Sequence, residues 1–153
     1  MSFTYQLSYT KSGLFFKNLI WSRVTSNTGI YCLIIQLLQK YSITIGCLGT
    51  FCFPAGFYVY VGSAQNSLER RIERHLRRKK KTRWHVDYLL RYGQVIYVHT
   101  YAGKKDMECM LSNKIENIKN ATAPVKGFGS SDCPCYSHLY FFRHFPMISR
   151  LKI

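Results

Sequence analysis

The chain has 153 residues, enough for one domain, and 47% of them are hydrophobic, which excludes a disordered chain. Lys and Arg number 22 against seven Asp and Glu, a net charge of +15. That points to a polyanionic partner, nucleic acid before any anionic surface, and leaves few carboxylates for acid–base work or hard-metal binding.

Residues 1–28 mix Phe3, Tyr5, Tyr9, Phe15, Phe16 and Trp21 with polar residues in no clean period, and no element is assigned to them. From Gly29 the pattern sharpens. Residues 29–38 are rich in branched apolar side chains and read as a buried strand. Residues 41–46 read as a second, short strand, close enough to pair with the first as a hairpin. The stretch 46–56, punctuated by Gly49, Pro54 and Gly56, reads as a loop. Residues 57–61 alternate, with Tyr58 and Tyr60 on one face and Phe57, Val59 and Val61 on the other.

A helix is expected over 67–81, with Leu68, Ile72 and Leu76 as its apolar stripe and arginines on the opposite arc. A second helix over 82–91 has Thr82 as its N-cap. Residues 94–101 alternate as a strand. A helix over about 105–120 buries Met107, Met110, Leu111, Ile115 and Ile118, with Glu108 on the border of that stripe. A loop over 126–138 and a closing strand over 139–142 follow. The order predicts an α+β domain: a small mixed or antiparallel sheet flanked by helices over 29–142, then a basic tail over 143–153. The longest apolar stretches, 30–38 and 51–61, are broken by Gln36, Pro54 and Gly56. Both fall short of the ~20 residues of a membrane helix, so no membrane partner is expected.

Residues 70–83 hold nine of the 22 positive charges: Arg70, Arg71, Arg74, Arg77, Arg78, Lys79, Lys80, Lys81 and Arg83. Too few carboxylates lie nearby to pair with them along a helix. The guanidinium fork suits phosphate oxygens, so this run is expected to bind a nucleic-acid backbone without reading its sequence.

A second set is spread along the chain: Tyr31 after Gly29-Ile30, Tyr60 before Val61-Gly62, Arg71 and His75 one turn apart, and Glu108. Phosphodiester hydrolysis uses such parts: a carboxylate for a hard divalent ion, a cation for phosphate charge and a group to handle the proton of water. Gly29-Ile30-Tyr31 and Tyr60-Val61-Gly62 resemble the two motifs of the GIY-YIG nuclease superfamily. The phrases FPAGFYVYVGSA (53–64), LERRIERHLRRKKK (68–81), WHVDYLL (84–90), MEC (107–109) and GFGSSDCPCYSHLYFF (127–142) are more closely similar to its Uri-type endonuclease and domain-of-unknown-function subfamily.

The resemblance implies metal-dependent hydrolysis of DNA, favoured over RNA, with Mg²⁺ or another divalent cation. It makes Tyr31 and Tyr60 the paired tyrosines, Arg71 the phosphate-stabilising arginine, His75 the motif's histidine and Glu108 the metal ligand. Ser63-Ala64 stand where many members carry a lysine, and the superfamily's late asparagine has no clear counterpart, Asp132 or His138 being the substitutes considered. The rival expectation is a non-catalytic nucleic-acid-binding module on the same fold.

Trp84-His85-x-Asp87 offers a His–carboxylate pair or, on the preferred reading, a packed helix with His85 bonded locally, and the resemblance implies a second use for the segment in lining the substrate groove. Cys133-Pro134-Cys135 with His138 offers zinc-type ligands, to which Cys109 or His75 would have to add a fourth. The preferred expectation is a tight loop whose thiols pack under the sheet. Cys32 and Cys109 sit in apolar segments and no secretory signal precedes them, so the six cysteines are expected free, in the cytoplasm.

Overall fold

A computed structural model describes residues 2–6, 27–148 and 151. A five-stranded sheet is built from β1 (Ser2–Gln6), β2 (Gly29–Leu37), β5 (Gly56–Ala64), β6 (Gln94–Tyr101) and β7 (Leu139–Phe142), in the order β1-β6-β2-β5-β7. Every pairing is antiparallel. A separate hairpin joins β3 (Tyr41–Thr44) to β4 (Thr50–Phe53). The helices are α1 (Leu68–Leu76), α2 (His85–Leu89) and α3 (Met107–Glu116). The α+β expectation holds, and the sheet is antiparallel. Among the described residues no helix is long and apolar enough to cross a membrane.

The expected hairpin between 29–38 and 41–46 does not form. Strand β2 is apolar on both faces and lies at the centre of the sheet, with β5 on one edge and β6 on the other. It has no edge left for β3. Residues 46–56, expected as a loop, supply the partner strand β4 instead. Gly46 (φ 47°) and Gly49 (φ 115°) take left-handed conformations that turn the chain back through a short 3₁₀ turn, Gly46–Leu48. Ser2–Gln6 adds an edge strand within the unassigned N-terminal stretch, and residues 7–26 lie outside the described residues.

The alternation of β2 and β5 divides the core in two. Tyr31, Leu33, Ile35, Tyr58 and Tyr60 pack with α1, α2 and the β3–β4 hairpin on one face. Ile30, Cys32, Ile34, Val59 and Val61 pack with Leu111 and Ile115 of α3 on the other. Within the expected basic tail, Ile148 is buried in this second cluster with Leu151 against it.

Helix α1 is shorter than the expected 67–81. Ser67 caps its start, accepting the Arg70 N–H at 3.3 Å. It stops at Leu76, because five consecutive cations follow and Lys80 stands where the apolar stripe needs its next member. Helix α2 likewise starts at His85 rather than at a Thr82 cap: the Asp87 carboxylate takes the N–H groups of Arg83 and Trp84, and Thr82 Oγ1 accepts from Arg91. On α3 the expected stripe shifts. Met110 is 51% exposed, and Ser112 is buried in its place because its hydroxyl hydrogen-bonds Tyr140 Oη and the Ser137 carbonyl.

Candidate active site

Tyr31 lies near the start of β2, and across the ladder it faces Gly62 near the end of β5. A Cβ at position 62 would lie 2.5 Å from the Tyr31 phenol. Glycine in the second motif is therefore a clearance for the tyrosine of the first. Tyr60 leaves the same face two residues earlier, its ring 6.4 Å from that of Tyr31. Both phenols line a cleft of about 470 Å³, together with Arg71, Arg83, Trp84 and Glu108. Four of the five residues expected to be catalytic thus share one wall.

The fifth, His75, stands behind Tyr31 rather than in the cleft lining. It is buried on α1 and its Nε2 shares a 2.8 Å hydrogen bond with Tyr31 Oη. Its Nδ1 has no hydrogen bond and lies 3.9 Å from Asp87 Oδ1, a negative charge that favours the tautomer with its proton on Nδ1. Nε2 is then the acceptor and Tyr31 the donor. Burial pushes His75 down to about 3 against a weaker pull upward from Asp87. Burial likewise raises Tyr31 and Tyr60 well above the ordinary phenol, with Arg71 acting in the opposite sense. Both phenols hold their protons at neutral pH, and His75 is an acceptor that resists charging.

That burial has a consequence for stability. Unfolded His75 takes a proton near pH 6.5, whereas the folded side chain does not until about pH 3. As pH falls below 6.5 the unfolded state is favoured by at most ~1.4 kcal/mol per pH unit. Thermal midpoints are expected to fall from pH 7 to pH 5 in the wild type and to be flatter in His75→Gln. An equally flat wild-type profile would show that His75 is not buried in its neutral form.

Asp87 is not the partner of His85. It is buried on α2 and takes both Arg74 guanidinium nitrogens, Nη1 on Oδ1 at 3.1 Å and Nη2 on Oδ2 at 2.9 Å. Burial pulls its pKa up, but these bonds and the N–H groups of Arg83 and Trp84 hold the carboxyl below the ordinary range. His85 Nδ1 accepts instead from the Gly129 N–H at 3.0 Å, a distant rather than a local bond.

The expected phosphate-binding set divides accordingly. Arg70, Arg77, Arg78, Lys79, Lys81 and Arg83 are exposed. Arg74 is committed elsewhere: besides Asp87 it donates to the Lys81 carbonyl at 2.7 Å and lies over the Trp84 ring. Lys80 Nζ donates to the His75 carbonyl at 2.6 Å, closing the end of α1. Both cations satisfy intramolecular acceptors that the sequence pattern does not reveal. Arg71 makes no salt bridge among the described residues, and its guanidinium carbon stands 4.2 Å from the Trp84 ring centre. Trp84, expected only as part of a groove-lining segment, lines the cleft and is the platform on which Arg71 rests. Its place in the WHVDYLL phrase is the sequence signal for it.

Two carboxylates line the cleft. Asp132 is tied to Lys105 at 2.6 Å, at the surface. Glu108, at the start of α3, pairs with no Lys or Arg among the described residues. A carboxylate at the cleft suits Mg²⁺, which takes one or two protein oxygens and fills its other positions with water and phosphate. Glu108 Oε1 also lies 3.0 Å from His138 Nδ1, and His138 adjoins the thiols of Cys133, Cys135 and Cys109. Those thiols are half-buried and meet one another, rather than packing under the sheet.

A family model described as Domain of unknown function DUF123 matches residues 30–152. No curated protein and no solved structure matches the chain.

Proposed function

The chain belongs to the family described as Domain of unknown function DUF123, and from that premise we propose that it is a GIY-YIG-type endonuclease hydrolysing DNA phosphodiester bonds with a divalent metal. The observation that carries this reading is the convergence of Tyr31, Tyr60, Arg71 and Glu108, from four separated segments, on one cleft.

In this reading each side chain has a distinct task. Tyr31 directs its own proton to His75 Nε2 and so offers an oxygen lone pair to a water in the cleft. Arg71, held by Trp84, offsets the charge that grows on the phosphate oxygens as that water attacks phosphorus. The P–O bond to the leaving strand breaks, that oxygen gains a proton from solvent, and the water's proton passes to solvent. Glu108 would hold the divalent cation, Mg²⁺ being the expected one. When bound, such an ion would supply Lewis-acid stabilisation of phosphate charge and lower the pKa of a bound water. Six free cysteines support a cytoplasmic setting. The direct test is incubation of purified protein with plain, nicked and branched DNA, and with RNA, with Mg²⁺ or with EDTA. Metal-dependent strand cleavage supports the proposal, and its absence on every substrate rejects it.

The second reading is a non-catalytic binding module, favoured by the scarcity of carboxylates at the cleft. It shares the exposed cations. Affinity for DNA is expected to fall steeply with salt, and Arg70→Ala, Arg77→Ala and Arg78→Ala each to lower the log–log slope by about one unit. Arg74→Ala is expected to leave the slope unchanged, because that guanidinium is bound to Asp87. A salt-independent affinity would exclude phosphate contacts in both readings.

A further inference from the structure

Beside the cleft, but outside its lining, three thiols and an imidazole come together from two elements. Helix α3 supplies Cys109. The loop before β7 supplies Cys133 and Cys135, and His138 stands immediately ahead of the strand. Their ligand atoms all lie within 4.8 Å of one another. We propose that Cys109, Cys133, Cys135 and His138 form a closed, structural zinc site, distinct from the hard-cation position at Glu108. This inference stands whether or not the chain cuts DNA.

The geometry suits the ion. Zinc bonds of ~2.3 Å to sulfur and ~2.0 Å to nitrogen place tetrahedral ligands about 3.5–3.8 Å apart. Cys133 Sγ and His138 Nε2 already stand at 3.4 Å, and 4.8 Å as the widest separation needs only a small inward movement. The chemistry suits it as well. Three soft sulfurs and one imidazole select zinc over magnesium, and four protein ligands leave no open position for substrate.

The loop is shaped for this purpose. Gly127 N–H bonds the Tyr136 carbonyl at 2.8 Å and His138 N–H bonds the Phe128 carbonyl at 2.8 Å, so the loop folds back on itself. Gly127 and Gly129, at φ 78° and 72°, make that turn. This compensates for C-x-C being tighter than the usual knuckle spacing: the third sulfur comes from a helix distant in sequence, not from the loop.

A second observation points to the same ligand set. His138 is buried, with Nε2 toward the sulfurs and Nδ1 3.0 Å from Glu108 Oε1. Metal-bound histidines commonly give their other nitrogen to a carboxylate, which fixes the ring and strengthens the ligand. Here the Nδ1–Oε1 contact is close but not an aligned hydrogen bond. Glu108 is then a positioning residue for the zinc histidine through one oxygen and offers its other oxygen to the cleft.

The test is metal analysis of the full chain, produced in zinc-supplemented medium and purified without chelator. One zinc per chain is expected. Stripped protein titrated with Co²⁺ is expected to develop the intense sulfur-to-cobalt charge-transfer absorption of a tetrahedral thiolate site, displaced by Zn²⁺. Cys133→Ser and Cys135→Ser are expected to weaken Co²⁺ binding by more than the ~10–100-fold expected of Glu108→Gln. Should these cysteine variants fail to fold, chelation of the wild type decides: zinc release with a lowered Tm supports the site. Zinc well below stoichiometric, with no cobalt spectrum at excess Co²⁺, overturns it, as does a disulfide joining two of the three cysteines in freshly purified reduced-medium protein.

Discussion

Glu108→Gln is expected to give a folded, DNA-binding protein whose cleavage rate is lower by roughly a thousand-fold or more. The substitution keeps shape and removes charge. Glutamine can still present an oxygen to His138 Nδ1, which lies 3.0 Å from the native carboxylate, so the start of α3 and the neighbouring loop should hold. The exposed cations beyond α1 are untouched, so affinity for DNA should persist or rise slightly. What is lost is the cleft carboxylate without a Lys or Arg partner, and a neutral amide is a poor ligand for Mg²⁺. Withdrawal of that Lewis acid removes several kcal/mol of transition-state stabilisation, which is the rate loss given. Cleavage, DNA affinity, Tm and zinc content measured on one preparation separate loss of chemistry from loss of the loop. Cleavage at near the wild-type rate would remove Glu108 from the metal site and with it the centre of the nuclease reading.

Asp87→Ala is expected to destabilise the fold by about 3 kcal/mol, the lower end for a broken buried ion pair because Arg74 is partly exposed and can rehydrate. In a domain of this size that lowers Tm by roughly 10 °C. The carboxylate accepts two bonds from Arg74 and one each from the N–H groups of Arg83 and Trp84. It therefore holds α1 to α2 and fixes the ring on which Arg71 rests. Asp87→Asn keeps the volume and some of these bonds, so an intermediate loss is expected. Acid weakens the same contact: the folded carboxyl titrates below its unfolded value, so its contribution is present above the unfolded pKa of about 3.9 and lost as pH falls through the folded one. An unchanged Tm in Asp87→Ala, followed by thermal unfolding, would show that the Arg74 pair is a surface contact of no energetic weight.

Much of this molecule was legible in local pattern. Period-two alternation identified β5 and its two faces, and apolar spacing placed Leu68 and Ile72 in the core. Those signals depend only on which neighbours a residue has in sequence. Single phrases along the chain also picked out Tyr31, Tyr60, Arg71 and Glu108, which meet at one cleft. The charge alone pointed to a polyanion.

Other properties are decided by partners distant in sequence, and no local pattern contains them. Strand β2 refused its nearest neighbour because both its edges were already taken. Arg74 and Lys80 read as free cations, yet Asp87 and the His75 carbonyl occupy them. His75 looks like any helix histidine until burial makes it resist protonation and sets it behind Tyr31. Cys109 and His75 are equal candidates to join Cys133 and Cys135 until α3 brings the thiol of Cys109 to that loop. Sequence by itself determined most of the strands and helices, the apolar faces of β5 and α1 and the basic character. Only the tertiary structure decided which charges are free and which side chains share a site, because both depend on burial and on contacts that form when the two faces of the sheet close.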